Sequence, residues 1–261
     1  MKPNLATSSK SNRILSGLVV GLTVLAIVIA LTFIFSDSLK TLIIGDAETL
    51  LGKIFSIQAF MWFALGFGLG DLLHRFLIVR GRLSALKQGF LPDTPEQEKR
   101  VLTSEDMPDI YRSVKDVKSD LAEIITSLSL RFQAGKSVEQ THELLSSQME
   151  LWQYRVDLDY NLLKYVTWLI PTIGFIGTVV GISEALSFAG SGAVDPTSDE
   201  FLPAVTAKLG VAFETTLLAL IMSALLVFLI NIVQEREERT VEATGRYCLD
   251  NLITRLYVDS R

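Results

Sequence analysis

Three residues in two long apolar stretches carry groups able to handle a proton or a small cation: Thr178, Thr216 and Glu214. A hydroxyl both donates and accepts hydrogen bonds, and a carboxyl at membrane depth is a functional candidate by default. The first stretch reads YVTWLIPTIGFIGTVVGISEALSFAG and the second TAKLGVAFETTLLALIMSALLVFLINIV, with a short acidic loop between them. Thr178 lies about 11 residues before that loop and Thr216 about 12 after it, so at ~1.5 Å per helical residue both sit roughly 16–18 Å below it. That is near the middle of a hydrocarbon core about 30 Å thick. Two hydroxyls at one depth predict a shared polar spot. The ordinary alternative for each is a bond to the carbonyl four residues back in its own helix. Glu214 precedes Thr216 by two residues, about 200° of helical rotation. It is therefore expected to point away from the spot, as a hydrogen-bonding group between subunits or as an acid that modulates the ion.

The helices that must position these groups show a pattern of their own. Residues three, four or seven apart share a helix face. Pro171, Gly174, Thr178, Gly181 and Ala185 form one such stripe, and Ala212, Thr216, Ala219 and Ser223 form another. The remaining faces carry Leu, Ile, Val and Phe. Each helix has one lean face suited to close helix–helix approach, and Gly177 with Gly181 is a literal GxxxG. Pro171, Gly174, Gly181, Ala212, Ala219 and Ser223 are expected to face a pore.

These residues carry a resemblance. Leu169 to Ile182 (LIPTIGFIGTVVGI) resembles the signature of the MotA/TolQ/ExbB proton channel family, and Ala212, Thr216 and Ala219 are similar to its second half. The similarity covers roughly residues 150–235. It implies a homopentamer of this chain around a dimer of a single-span partner of the MotB, ExbD or TolR kind. The partner's membrane aspartate would take up and release the ion beside Thr178 and Thr216. ExbB-like members commonly carry a glutamate five residues before the second Thr, where this chain has Val211.

Composition narrows the class. The 261 residues are 49% hydrophobic, with a mean hydropathy of +0.38, too apolar for an ordinary soluble domain. A net charge of −5 argues against nucleic acid as a partner. The single Cys248 excludes an internal disulfide framework. No His/Cys cluster, phosphate loop or nucleophile–base pair is present, so neither an enzyme nor a metal site is expected, and no cofactor apart from the translocated H⁺ or Na⁺.

Taken along the chain, the reading is an all-α membrane protein of four transmembrane helices with a helical cytoplasmic domain between spans two and three. Residues 1–13 are a cytoplasmic N-terminus, 14–35 the first span and 36–53 a periplasmic loop. Residues 54–73 are the second span, 74–161 the cytoplasmic domain and 162–187 the third span. Residues 188–203 are a second periplasmic loop, 204–233 the fourth span and 234–261 a cytoplasmic helix. Lys and Arg mark cytoplasmic flanks. Lys2, Lys10 and Arg13, then Arg75, Arg80 and Arg82, then Arg236, Arg239 and Arg246 all agree, and the loop from Ser187 to Pro203 has no basic residue. Four spans with both termini inside a bacterial inner membrane is the stator arrangement that the resemblance implies. Within the cytoplasmic domain, Thr103 with Asp106 predicts a capping box. Ile110, Val114, Val117, Leu121, Ile124 and Leu128 predict one amphipathic helix closed by Gly135, and Ser137 with Gln140 predicts the next cap.

Overall fold

The computed structural model describes residues 5–31, 43, 56–87, 91, 101–117, 119–192 and 195–258. The predicted loop over 36–53 lies outside them, Ile43 apart. Six α-helices are described: α1 (Leu5–Leu31), α2 (Ile57–Lys87), α3 (Met107–Val114), α4 (Asp120–Gly135), α5 (Val138–Gly190) and α6 (Phe201–Asn251). A 3-10 turn follows at Ile253–Arg255, and the described residues hold no strand. Four helices are long and apolar enough to cross a membrane. The protein is an all-α, multi-pass membrane protein. Its chain divides into two compact units, residues 1–74 with 161–231 and residues 75–160 with 232–261.

In the first unit α1 and α2 run antiparallel with glycine against glycine. A Cβ on Gly66 would lie 2.9 Å from the Gly21 Cα, and one on Gly70 would lie 2.9 Å from the Gly17 Cα. GLVVG on α1 thus meets GFGLG on α2, the close approach that small-xxx-small spacing permits. Arg13 Nε pairs with Asp71 Oδ1 at 3.1 Å, both side chains buried. Asp71, within the predicted second span, is thus half of an interior ion pair. Leu163, Val166 and Ile170 of α5 and Met222, Leu226 and Ile230 of α6 are buried at helical spacing. The opposite faces expose Leu22 (59%), Phe175 (64%) and Phe213 (61%), an apolar exterior suited to lipid rather than water.

The second unit packs α3 and α4 with parts of α5 and α6 around Met107, Ile110, Val114, Leu121, Ile125, Leu128, Phe132, Leu145, Cys248 and Leu252. The predicted single amphipathic helix is in fact two. The chain breaks after Val114, and Ser119, extended at φ −141°, caps α4 by accepting from the Ala122 N–H. The apolar period carries across the break because both helices face one core. Val117, counted in that period, is exposed at the break. Half of the predicted Thr103–Asp106 capping box is present: the Asp106 carboxylate reaches back to accept from the Thr103 N–H (2.8 Å), and also from its hydroxyl (3.0 Å), in the turn that leads into α3 at Met107. α4 ends with the left-handed conformation on Lys136 (φ 45°) and not on Gly135. Ser137 Oγ accepts from the Gln140 N–H at 3.2 Å, in the place predicted for a cap.

A buried polar network ties this unit together. Glu237 accepts from Arg82 (3.0 Å) and from the Tyr160 hydroxyl (3.1 Å), and pairs with Arg75 at 3.6 Å. Arg75 also donates to the Asp159 carbonyl and covers the Tyr160 ring. Arg82 reaches Asp120 at 2.6 Å. Arg75 and Arg82, read from sequence as flank charges, are structural ligands of acids.

Candidate functional site

α5 and α6 pack antiparallel in the first unit, lean face to lean face. A Cβ on Gly174 would collide with the Ala219 methyl. One on Gly181 would lie 2.6 Å from the Ala212 Cβ, and one on Gly177 would lie 2.8 Å from Thr215 Oγ1. Bulk at any of these places would separate the helices, which is why small residues recur on both.

The centre of the seam is offset from the predicted stripe. On α6 it runs through Ala212, Thr215, Ala219 and Met222, all 4% exposed or less. Gly174, Ala212 and Ala219 are buried between two helices of one chain. Gly181 is half-buried against Ala212. Pro171 and Thr178 on α5, with Thr216 and Ser223 on α6, are half-buried. Each lies one residue beyond a fully buried position, Ile170, Gly177, Thr215 and Met222 in turn. These four keep surface that a further helix can reach.

The hydroxyls of Thr178 and Thr216 are in direct hydrogen-bond contact. Thr178 Oγ1 also reaches the Ala212 carbonyl across the seam at 3.1 Å, closer than its own-helix Gly174 carbonyl at 3.4 Å. Thr216 Oγ1 reaches the Gly174 carbonyl at 3.0 Å. The cross-seam arrangement thus prevails over the local back-bond for both. Thr215, which sequence reasoning passed over, shares the same two carbonyls, Ala212 at 2.8 Å and Gly174 at 3.4 Å. Its signal was the adjacent Thr-Thr pair, whose first member continues the i, i+3, i+7 series of Ala212 and Ala219. Each hydroxyl has one hydrogen and two lone pairs. Either Thr178 or Thr216 can therefore donate to the other without moving a heavy atom, and the pair can present a donor or an acceptor to an approaching carboxyl, water or cation.

Pro171 and Ser223 are joined as well. Proline has no N–H for the carbonyl four residues back, here Thr167, and Ser223 Oγ donates to that carbonyl at 2.9 Å. A hydroxyl from the neighbouring helix thus replaces the missing helical bond. Glu214 is half-buried on α6, and the helical rotation keeps it off the seam. Among the described residues its Oε2 is buried without a hydrogen-bond partner. The described residues contain no group of His, Cys, Asp and Glu arranged to hold a metal.

Residues 115–245 match the model of the MotA/TolQ/ExbB proton channel family. No curated protein and no solved structure matches the chain. The matched region covers half of the chain and takes in α4, α5 and most of α6, with both sides of the seam, the hydroxyl pair, Pro171, Ser223 and Glu214. The chain belongs to the MotA/TolQ/ExbB proton channel family.

Proposed function

We propose that this chain is the channel subunit of an ion-motive-force-driven motor in a bacterial inner membrane. Five copies surround a dimer of a single-span partner whose membrane aspartate carries H⁺ or Na⁺. The observation that carries the reading is the Thr178–Thr216 hydroxyl pair, half-buried in a glycine-lined seam within a chain of this family. When the partner's carboxylate is charged, the hydroxyls donate to it. When it is neutralised, they accept from it. A charged carboxyl at membrane depth is costly, and neutralising it removes that cost. The difference amounts to several kcal/mol, enough to bias a step of the ring around the partner. Pro171, Gly181 and Ser223 supply room beside the pair. The basic flanks of the four helices support an orientation with both termini in the cytoplasm.

The test is Thr178→Val and Thr216→Val, made separately, with ion-driven work assayed in cells and the assembly weighed by native mass spectrometry. Each change keeps the side-chain shape and deletes the hydroxyl. The expected outcome is loss of ion-dependent work with the five-to-two complex intact. Retained work in both variants would instead support a non-conducting scaffold held together by its small-residue helices.

A further inference from the structure

Most arginines of the described residues are held by an acid of the same chain. Arg13 pairs with Asp71, Arg82 with Asp120 and Glu237, Arg239 with Glu235 and Arg246 with Glu242. Arg80, Arg155 and Arg236 are exposed, and among the described residues none of these side chains has a hydrogen bond or an ion pair. Arg80 and Arg236 are linked through one ring. The Arg236 Cζ lies 5.4 Å from the centre of the Phe76 ring, and Phe76 precedes Arg80 by one turn on the same face of α2. No acid follows Asp71 on α2, and Arg236 has Ile232, Val233, Arg239 and Thr240 three and four residues away on α6. Neither helix therefore supplies a counter-ion from its own face. Glu235, next to Arg236 in sequence, is taken by Arg239 at 2.6 Å. Both arginines stand where an apolar helix gives way to polar sequence. Leu77, three residues before Arg80, is 56% exposed, and Ile232 lies one turn before Arg236. Each helix thus carries apolar surface one turn toward its membrane-crossing segment, capped by a cation.

We infer that Arg80 and Arg236, with Phe76, bind the phosphate of an anionic phospholipid at the membrane edge. Basic pockets between membrane helices hold such headgroups. Stacking on the Phe76 ring fixes the Arg236 guanidinium through its face. The N–H groups at its edge stay free, and these are the donors that bond phosphate oxygens in pairs. Arg80 adds a second positive charge one turn along. The ligand is a lipid rather than free phosphate because of the apolar surface beside the charges. An acyl chain would cover Leu77 and the Phe76 edge, which a soluble anion would leave wet. The inference goes beyond the channel reading and does not rest on it, since lipid binding can be measured whether or not the assembly does work.

The test uses the full chain purified in mild detergent and stripped of lipid. It is titrated with phosphatidylglycerol, or with zwitterionic phosphatidylcholine, under native mass spectrometry. Phosphatidylglycerol should bind in preference, and Arg80→Gln with Arg236→Gln together should weaken its binding by roughly tenfold or more. Arg246→Gln removes the same charge about 15 Å farther along α6 and should leave binding unchanged. Arg236→Lys should lose part of the affinity, since an ammonium lacks the planar fork. Inorganic phosphate in excess should not displace the lipid. An equal loss in Arg246→Gln, or full binding by Arg236→Lys, would overturn the site in favour of general surface charge. Displacement by inorganic phosphate would overturn the lipid in favour of a free anion. A changed number of chains per assembly in the double variant, with lipid binding untouched, would assign the two arginines to a contact between copies instead.

Discussion

Ser223 on α6 donates its hydroxyl hydrogen to the carbonyl of Thr167, which Pro171 leaves without a helical N–H. The two features were legible in sequence only as members of separate small-residue stripes. In the fold they are one device, a broken helical bond and its replacement from the neighbouring helix. Ser223→Ala should therefore cost about 1–3 kcal/mol, the penalty for an orphaned buried carbonyl. Pro171→Ala restores the N–H, so the same serine change in that background should be close to neutral. Reversible unfolding in mixed detergent micelles, run as a double-mutant cycle, measures the difference. Simple additivity of the two changes would show that the carbonyl is satisfied in another way.

Gly174 faces Ala219 at a distance that leaves no room for a methyl. Gly174→Ala should force α5 and α6 apart and destabilise the seam by about 1–3 kcal/mol, the usual cost of overpacking. Ala219→Gly in the same chain should recover most of that loss. Because the displaced helices also carry Thr178 and Thr216, ion-driven work should fall in the single variant and return in the double. Thermal unfolding and the work assay together check both halves, and a double variant no better than the single would place the strain elsewhere.

How much of this could be read beforehand depended on how local the determining residues are. The long apolar runs and the family signature are local, and so were legible. The hydroxyl pair was legible because depth and helix face follow from spacing alone. The centre of the seam lies one residue off the small-residue stripe of α6, because small size alone does not mark contact. Thr215 and Met222 occupy that centre, and neither is a small apolar residue. The break between α3 and α4 was hidden because the apolar period stays in phase across it, and only the extended Ser119 cap reveals it. The α1–α2 glycine contact and the Arg75–Glu237 pair were missed for another reason. Each joins residues far apart in the chain, and no single segment advertises its partner.

Glu237 is the acid on which the buried network of the second unit converges. Glu237→Ala removes a carboxylate on which Arg75, itself 3% exposed, Arg82 and the Tyr160 hydroxyl converge. Breaking a buried pair in this way typically costs about 3–5 kcal/mol. The exposed pairs Arg239–Glu235 and Arg246–Glu242 offer the contrast on the same helix. Glu235→Ala and Glu242→Ala should change stability by no more than about 1 kcal/mol. Added salt should erase those small effects and leave the Glu237 effect largely intact, since buried pairs are little screened. Denaturant titrations at two salt concentrations decide the matter. Equal costs at all three positions would contradict the network's burial.

Cys248 sits in the core of the second unit beside Leu252, and burial pushes its thiol up from 9.0 to about 12. Only the thiolate reacts with alkylating agents, so at pH 8 very few folded molecules are competent at any moment. Alkylation of the native protein should be slow and should follow opening of the unit. The same shift has a stability consequence with a definite sign. Between pH 9 and 12 the folded state holds a proton that the unfolded thiol has lost, so stability falls as pH rises through that window. Below pH 9 the contribution is fully present. Glu237→Ala, by loosening the same unit, should speed alkylation at pH 8 in proportion to its destabilisation. Mass-spectrometric rates at several pH values test both claims. Fast labelling of the untreated chain at pH 8 would mean that the Cys248 sulfur is open to solvent.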